Sequence, residues 1–323
     1  MSAPTVSITL ATYNRTEFLQ ETLDSLVAQT YQDFEIILVD DGSTDETPQY
    51  IEQLLKKKKY AKVRFLPLSQ NKGIAFAISY AMQHAKGTYI SHIGSDDLWH
   101  ETALEKMVQV LDSNPEVGVV YTDAARIDKD GNIISESRFA ENPIGPQKGW
   151  IFKELLLKGM FVSAISVTFR RSLYDLVGDF DANYSISNDY DFFMRCAAHT
   201  QFAYINEVLA SWRMHDKNLH NRDKTKAYLE RIAVIQKNYR IYGRKFLIPA
   251  WRYRTIISSI YLQTGIFKAQ AREFRASRIY LLKSLMAMPV NVLAALLFVN
   301  TYLQVPWLWR FDIYKKAYLR IFK

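Results

Sequence analysis

The chain has 323 residues, a length that predicts about two domains. With 49% hydrophobic and 23% charged residues and a mean hydropathy of -0.14, it is neither a disordered tail nor a multi-span membrane protein. A single cysteine excludes an internal disulfide, and the first residues lack the basic-then-apolar order of a secretion signal. We therefore expect a cytoplasmic protein.

The net charge of +8 is divided unevenly along the chain. Residues 1–200 carry 19 lysines and arginines against 27 aspartates and glutamates, whereas residues 201–323 carry 22 against 6. An acidic first part suits a metal site, and a basic second part with many aromatic residues suits an anionic surface such as lipid headgroups. An ordinary basic helical domain is the alternative explanation of the second part.

Strand and helix patterns alternate through the first hundred residues. The alternation predicts an α/β fold with a mostly parallel sheet and flanking helices, in which ligands bind at the carboxyl ends of the strands. The predicted strands are 6–10, 34–39, 63–67 and 89–93, and the predicted helices are 17–29, 47–59 and 74–85.

The pattern after residue 100 is less regular. It predicts a helix over 101–112, a strand over 117–123, a hairpin turn at 128–132, a loop over 141–149, a strand over 164–169 and long helices from 224 onward. The expected organisation is therefore an α/β domain over residues 1–223 and a basic helical region over residues 224–323.

Carboxylates follow two of the predicted strands. Asp40 and Asp41 end the second strand, and Asp96 and Asp97 follow the fourth. Aspartates at such positions often only cap turns and helices by accepting backbone N–H groups. Adjacent carboxylates repel each other unless a cation lies beside them, and Mg²⁺ and Mn²⁺ prefer oxygen ligands. The position after a buried strand favours a cation site at Asp96.

Three further residues have both a structural and a chemical interpretation. Asp189 lies in the first turn of a predicted helix, where the free N–H groups stabilise a carboxylate whether or not it acts as a base. His215 follows a short predicted strand and is a metal ligand only if the acidic site is one. Cys196 is best explained as a small buried hydrophobic residue.

Taken in order, several segments resemble the family 2 inverting glycosyltransferases of the GT-A fold, over about residues 5–220. Each segment is short, but together they come from independent loops that this fold brings to one site. The segments are 6–15, 39–45, 71–73, 85–87, 94–97, 188–191 and 212–215.

The resemblance implies a metal-dependent inverting glycosyltransferase of the hexosyltransferase type. Its donor would be a nucleotide-sugar, with a UDP-sugar favoured. Its acceptor would be a hydroxyl of a glycan or lipid-linked saccharide in cell-surface polysaccharide synthesis. Asp189 would be the catalytic base, and Asp96 and His215 would hold Mn²⁺ or Mg²⁺. The residues implied to bind the nucleotide-sugar are Thr12, Tyr13, Asn14, Arg15, Asp40, Asp41, Asn71, Gly73, Ser95, Asp96 and Asp97.

Two positions depart from the family pattern. Family members often have aspartate where Gly94 stands and glutamate where Asn188 stands. Gly94 leaves open the alternative of a nucleotide-sugar-binding scaffold without catalysis. A Rossmann oxidoreductase is disfavoured, because the G-x-G-x-x-G fingerprint does not follow the first strand.

Residues 284–309 contain no charged side chain and are flanked by lysines, arginines and aromatic residues. This pattern is typical of a segment at a membrane interface, and polar residues and prolines within it favour a helix that lies on the bilayer over one that spans it. A soluble helical subdomain or a contact between copies in a homo-oligomer is the alternative. Nucleic acid is disfavoured, because aliphatic residues are interleaved with the basic ones. We expect peripheral attachment at the inner face of the membrane.

Overall fold

The computed structural model describes residues 3–140, 144–216 and 223–303. The chain divides into two compact units, Met1–Arg222 and Asp223–Lys323. The start of the loop predicted over 141–149 lies outside the described residues. So do the end of the uncharged segment, residues 304–309, and the basic residues that follow it.

The first unit contains strands and helices in the following order. The strands are β1 Val6–Thr12, β2 Phe34–Asp40, β3 Val63–Pro67, β4 Tyr89–His92, β5 Leu98–Trp99, β6 Val117–Ile127, β7 Ile133–Ser135, β8 Val167–Arg170 and β9 Gln201–Arg213. The helices are α1 Leu19–Val27, α2 Thr47–Leu54, α3 Ile74–Gln83, α4 Ala103–Ser113, α5 Phe152–Lys158, α6 Arg171–Val177 and α7 Asn188–Ala197, and a short 3₁₀ turn, Lys58–Tyr60, follows α2.

These strands form one sheet in the order β3-β2-β1-β4-β8-β6-β9-β5, with β7 paired to β6. Strands β1 to β4 are parallel to one another, as their alternation with helices predicts. Strand β8 then enters antiparallel between β4 and β6, and β9 runs parallel to β6. The sheet is therefore parallel in its first part and mixed in its second.

Both faces of the central strands are covered. On β1 the apolar side chains of Val6 and Ile8 and the hydroxyl-bearing Thr9 are all buried. The Thr9 hydroxyl donates a hydrogen bond of 3.0 Å to the carbonyl of Ser91, so that its burial leaves no unsatisfied polar group. Such burial is expected of parallel strands with helices on both faces.

The parallel strands end on the same side of the sheet. Thr12 at the end of β1 pairs with Asp40 at the end of β2, and His92 at the end of β4 pairs with Thr9. The loops that follow these strands therefore leave the sheet at one edge, where the sequence places most of the candidate site residues.

The second unit is helical in its described residues. It contains α8 Lys224–Tyr242, α9 Ala250–Gln270, α10 Phe274–Ala287 and α11 Val292–Leu303. Helices α9 and α10 approach closely at Gly265, where an added Cβ would lie 2.8 Å from the side chain of Leu281. Within the described residues no helix is both long enough and apolar enough to cross a bilayer.

The turn after β2 requires glycine for two reasons. Gly42 has a φ of +68°, and an added Cβ would lie 2.3 Å from the carbonyl carbon of Gln70. Gly131, in the hairpin between β6 and β7, has a φ of +88° but open space around it. The two glycines therefore differ in crowding and share the left-handed conformation.

We predict that Gly42→Ala lowers the free energy of unfolding by about 3 kcal/mol or more, because left-handed strain and a forced backbone shift add together. Gly131→Ala is the matched control and should lose only about 1–2 kcal/mol, from the strain alone. Urea denaturation followed by far-UV circular dichroism measures both changes. Equal losses in the two variants would contradict the crowding argument.

Candidate functional site

Three polar side chains from distant parts of the sequence converge at the loop after β4. The guanidinium of Arg15 forms an ion pair with Oδ2 of Asp96, and Nε2 of His215 lies 2.9 Å from the same oxygen. The His215 ring also packs against Phe18, with 5.1 Å between the ring centres. The structure thus brings together the two residues predicted to hold a metal ion and adds Arg15 to them.

The two adjacent carboxyl groups have opposite pKa shifts. Burial raises the pKa of Asp96, but the hydrogen bond with His215 and the charge of Arg15 outweigh it and leave the pKa below its ordinary value. Burial, followed by the charge of Asp96, raises the pKa of Asp97 well above its ordinary value. Asp96 therefore ionises more readily than Asp97, and a further cation beside them would favour ionisation of both.

Arg213 organises the loop that carries this pair. It is 1% exposed, its Nε donates a 3.0 Å hydrogen bond to the carbonyl of Asp96, and its backbone N–H donates one of 3.0 Å to Oδ1 of Asp97. Its guanidinium also donates to Glu21 at 2.6 Å and lies 4.6 Å from the ring centre of Phe18. Sequence reasoning gave this residue no role of its own, although it lies in segment 212–215, one of those that carry the resemblance.

Gly94, in the same loop, lies where a side chain would collide with both carboxyl groups. An added Cβ would lie 2.6 Å from Oδ2 of Asp97 and 2.8 Å from Oδ1 of Asp96. Any side chain at this position, including the aspartate that the resemblance implies, would displace the two carboxylates. The glycine is therefore tied to this arrangement of Asp96 and Asp97.

The carboxylates after β2 are engaged with backbone N–H groups. Asp41 accepts hydrogen bonds from the N–H groups of Lys72 at 2.8 Å and Gly73 at 2.9 Å, while Asp40 accepts one of 3.0 Å from Ser43. Burial raises the pKa of Asp41 in spite of these bonds. In this structure both residues therefore fasten the turn after β2, and Asp41 joins it to the loop before α3.

The loop after β1 is held by the same turn. Asn14 has a φ of +47°; its N–H donates a 2.8 Å hydrogen bond to the Ser43 hydroxyl, and its side-chain oxygen accepts one of 2.9 Å from the N–H of Thr44. Thr12 is buried, whereas Tyr13 is 43% exposed. The result is a fixed loop that leaves an aromatic ring at the surface.

Two other predicted donor-binding residues lie on the neighbouring loops. Asn71 accepts a 3.2 Å hydrogen bond from the N–H of Gly73, which has a φ of +91°, and Ser95 is buried directly before Asp96. The structure places Thr12 and Asp40 at the ends of β1 and β2, and the other predicted donor-binding residues on the loops after β1, β2, β3 and β4.

Helix α7 separates its two aspartates. Asp189 is partly buried, its Oδ1 accepts a 2.7 Å hydrogen bond from the N–H of Tyr190, and burial raises its pKa to about 6 against the opposing charge of Arg138. Asp191 is fully buried and paired with Arg195, whose Nε lies 2.9 Å from its Oδ2. Asp191 is therefore held in an ion pair with Arg195. Asp189 is the aspartate of this helix whose raised pKa suits the acceptance of a proton.

Sequence reasoning did not identify Arg138 as a candidate site residue. Its guanidinium lies 5.9 Å from the ring centre of Trp212, and that of Arg126 lies 5.7 Å from the same ring. Arg138 also influences Asp189 by its charge. It comes from a loop without a recognisable pattern, so only the folded chain reveals its place.

The donor atoms at Asp96 and His215 fit a divalent cation. In the part of the chain that the structure describes, no three histidine, cysteine or acidic side chains converge as a complete metal site. One carboxylate and one imidazole do converge, and Mg²⁺ and Mn²⁺ are commonly held by one or two protein carboxylates together with substrate phosphates. These residues therefore suit a cation whose coordination a diphosphate completes.

Comparison with known sequences identifies relatives along most of the chain. The model of the family "Glycosyl transferase family 2" matches residues 7–177. An uncharacterized glycosyltransferase of Methanocaldococcus jannaschii is 30% identical over 248 residues, which are 76% of this chain and 80% of that protein. Chondroitin synthase of Escherichia coli is 27% identical over 216 residues, which are 67% of this chain and 30% of the synthase.

Comparison with solved structures shows the fold. The crystal structure of S. aureus TarS 1–349 has a TM-score of 0.64 and 20% identity, covering 90% of this chain and 82% of that one. The mannosyltransferase PcManGT from Pyrobaculum calidifontis, in complex with GDP-Man and Mn²⁺, has a TM-score of 0.58 and 18% identity, covering 99% and 86%. The family match and these neighbours confirm the predicted GT-A fold.

We predict that Arg213→Met lowers the free energy of unfolding by about 3 kcal/mol or more, because it leaves buried acceptors without their charged donor. Lys106→Met is the matched control: it removes a cation from a solvent-exposed ion pair with Glu207, which should matter by less than about 1 kcal/mol. Urea denaturation compares the two. Similar losses would show that Arg213 does not organise the loop.

Proposed function

Because the chain belongs to glycosyl transferase family 2, we propose that it is a metal-dependent inverting enzyme. In this proposal it moves a sugar from a nucleoside-diphosphate donor to a hydroxyl of a glycan or lipid-linked saccharide. The observation that carries the proposal is the convergence of Arg15, Asp96 and His215 at the strand ends.

The nucleoside part of the donor is assigned to the loops after β1, β2 and β3. The exposed ring of Tyr13 offers a stacking surface for a base, and the rigid turn at Asp41 and Gly73 shapes its surroundings. Structures of TarS have been solved in complex with UDP and with UDP-GlcNAc, and that of PcManGT with GDP-Man. These complexes support a nucleotide-sugar donor, and we favour a UDP-sugar.

Asp96 and His215 are assigned to hold the cation, Mn²⁺ or Mg²⁺. When bound, the cation supplies positive charge that stabilises the diphosphate as it leaves. Arg15 adds a second positive group beside Asp96, and Arg213 keeps the backbone of this loop in place. The Mn²⁺ in the PcManGT structure supports the assignment.

Asp189 is assigned as the base that removes the proton of the acceptor hydroxyl. The acceptor oxygen forms a bond to the anomeric carbon while the bond to the diphosphate breaks, the proton goes to Asp189, and the nucleoside diphosphate departs. A single displacement of this kind inverts the anomeric centre without a covalent enzyme intermediate. A carboxylate with a pKa near 6 is ionised at neutral pH and basic enough to share the proton.

A saccharide acceptor is supported by the relation to the chondroitin synthase. The half-buried ring of Trp212 and the guanidinium groups of Arg126 and Arg138 beside it form an aromatic and cationic surface, and the charge of Arg138 acts on Asp189. Such a surface suits a sugar ring and anionic groups on a glycan or on a lipid-linked saccharide.

A panel of UDP-, GDP- and dTDP-sugars tests the function. Release of nucleoside diphosphate, with and without Mn²⁺, reports transfer or hydrolysis, and isothermal titration reports binding alone. Turnover of one donor supports the enzyme. Tight binding of a donor without turnover on any acceptor would favour a scaffold protein instead.

We predict that Asp189→Asn lowers kcat by about 10²- to 10⁴-fold, the usual contribution of a general base, while the donor Kd changes little. Asp191→Asn is the matched control on the same helix and should mainly reduce stability, because it breaks the ion pair with Arg195. Transfer kinetics and donor titration measure both. A near-normal kcat for Asp189→Asn would assign the base to another residue.

The raised pKa of Asp189 predicts a specific pH dependence. Below about pH 4 the carboxyl is neutral in the folded and unfolded chain, and between pH 4 and 6 ionisation increasingly favours the unfolded chain. Above pH 6, Asp189→Asn should therefore be more stable than the wild type by up to about 3 kcal/mol. The wild-type rate should rise with pH through about 6. A variant less stable than the wild type at pH 8 would contradict the shift.

We predict that Asp96→Asn lowers transfer by orders of magnitude and weakens binding of Mn²⁺, because the variant keeps the shape of the side chain and loses the ligand charge. Asp130→Asn, on an exposed turn, is the control and should change neither. Activity assays and Mn²⁺ titration in the presence of nucleoside diphosphate measure the effect. Full wild-type activity in excess chelator would contradict metal dependence.

A further inference from the structure

Helix α11 is apolar on its outer side as well as its inner side. It has no charged residue, and Ala294 and Leu297 are buried in the core of the second unit. On the opposite side Val292, Leu296 and Val299 are 68%, 63% and 54% exposed. A helix that is hydrophobic all round is normally covered all round, so this outer side indicates a contact surface.

The exposed apolar side chains continue into the turn before α11 and onto α10. Met286 and Val290 are both largely exposed in and beside this turn, and Ile279 and Leu282 are exposed on α10. Most of the large exposed hydrophobic side chains in the described residues belong to the second unit, although it is the smaller one. We call Met286, Val290, Val292, Leu296 and Val299 the apolar ridge.

The charge around the ridge distinguishes between possible partners. Residues 223–303 contain 14 lysines and arginines against 3 aspartates and glutamates, and Arg275 and Lys283 are exposed on α10. Docking of a second copy through the ridge would bring two strongly positive units together. An anionic surface would instead be attracted to the same groups.

A cavity of about 470 Å³ opens next to the ridge and shares Met286 with it. Its lining includes Arg254 and Lys283 together with Tyr253 and Tyr261. The Nε of Arg254 donates a 2.8 Å hydrogen bond to the carbonyl of Ala287, which fixes the end of α10. Cationic side chains therefore lie directly beside apolar ones. At a bilayer surface the cationic groups can contact the lipid phosphates while the apolar groups are buried among the acyl chains.

We propose that the apolar ridge of the α10–α11 turn and α11 docks on an anionic lipid bilayer, with the basic side chains of the second unit at the level of the lipid phosphates. The helices lie on the bilayer, since none of those described is long and apolar enough to cross it. This inference is independent of the proposed chemistry of the first unit.

Flotation of the full chain with vesicles tests the proposal. Phosphatidylcholine vesicles that contain phosphatidylglycerol should carry the protein upward, and vesicles of phosphatidylcholine alone should carry much less. Binding should weaken as salt is raised from about 0.05 to 0.5 M, because the attraction between the charges is screened. Absence of flotation on the anionic vesicles at low salt would overturn the proposal.

Matched variants locate the binding surface. Leu296→Glu in the ridge should weaken binding to anionic vesicles about tenfold or more, whereas Leu176→Glu in the first unit should leave it unchanged. Leu296 and Leu176 are both 63% exposed, so the two changes are alike in burial. Lys283→Glu should weaken binding more than Lys57→Glu, which makes the same charge change in the first unit. Equal effects within either pair would contradict the assignment.

Two further measurements keep the outcome unambiguous. Circular dichroism and thermal denaturation verify that each variant is folded, and Val292→Glu replaces Leu296→Glu if the latter is not. Light scattering after size exclusion reports the oligomeric state. A dimer that Leu296→Glu dissociates, without vesicle binding by the wild type, would overturn the proposal and identify the ridge as an interface between copies.

Discussion

The arrangement of the site depends on the burial of two adjacent carboxyl groups, Asp96 and Asp97. Burying such a pair is unfavourable unless opposite charge and hydrogen bonds compensate for the lost hydration. Arg15 and His215 supply that compensation at one oxygen of Asp96, and Arg213 supplies it at the backbone and at Asp97. The positions of β1, β4 and β9 are thereby linked through one cluster of charges.

Much of the fold follows from local pattern. The first four strands and the three helices between them were predicted within a few residues, because amphipathic periodicity and strand-end polar residues are both local signals. The direction of β8 was not predictable in this way, since its partners β4 and β6 are far away in sequence and a four-residue strand carries no information about orientation. Helix α2 ends at Leu54, before the lysines that the pattern had included.

Candidate site residues could be predicted from the sequence where polar residues end strands. They could not be predicted where a side chain contacts partners that only folding brings near. Asp96 and His215 were expected together, and their side chains meet. Asp40 and Asp41 were expected near the donor, and in the structure they also fasten the loops that would contact it, a role that turn chemistry had left open. The guanidinium groups of Arg213 and Arg138 act on Glu21 and Asp189, over sequence distances that no motif spans.

Asp189 and Asp191 show how position alone gives two carboxylates of one helix different surroundings. Both lie near the start of one helix, but two residues turn the side chain by about 200° around the helix axis. Asp191 then points inward to Arg195, whose positive charge balances its full burial. Asp189 accepts a 2.7 Å hydrogen bond from the N–H of Tyr190, and this bond and the charge of Arg138 offset its burial only in part. The fold therefore leaves Asp189 with a destabilised negative charge, which is the condition under which a carboxylate accepts a proton most readily.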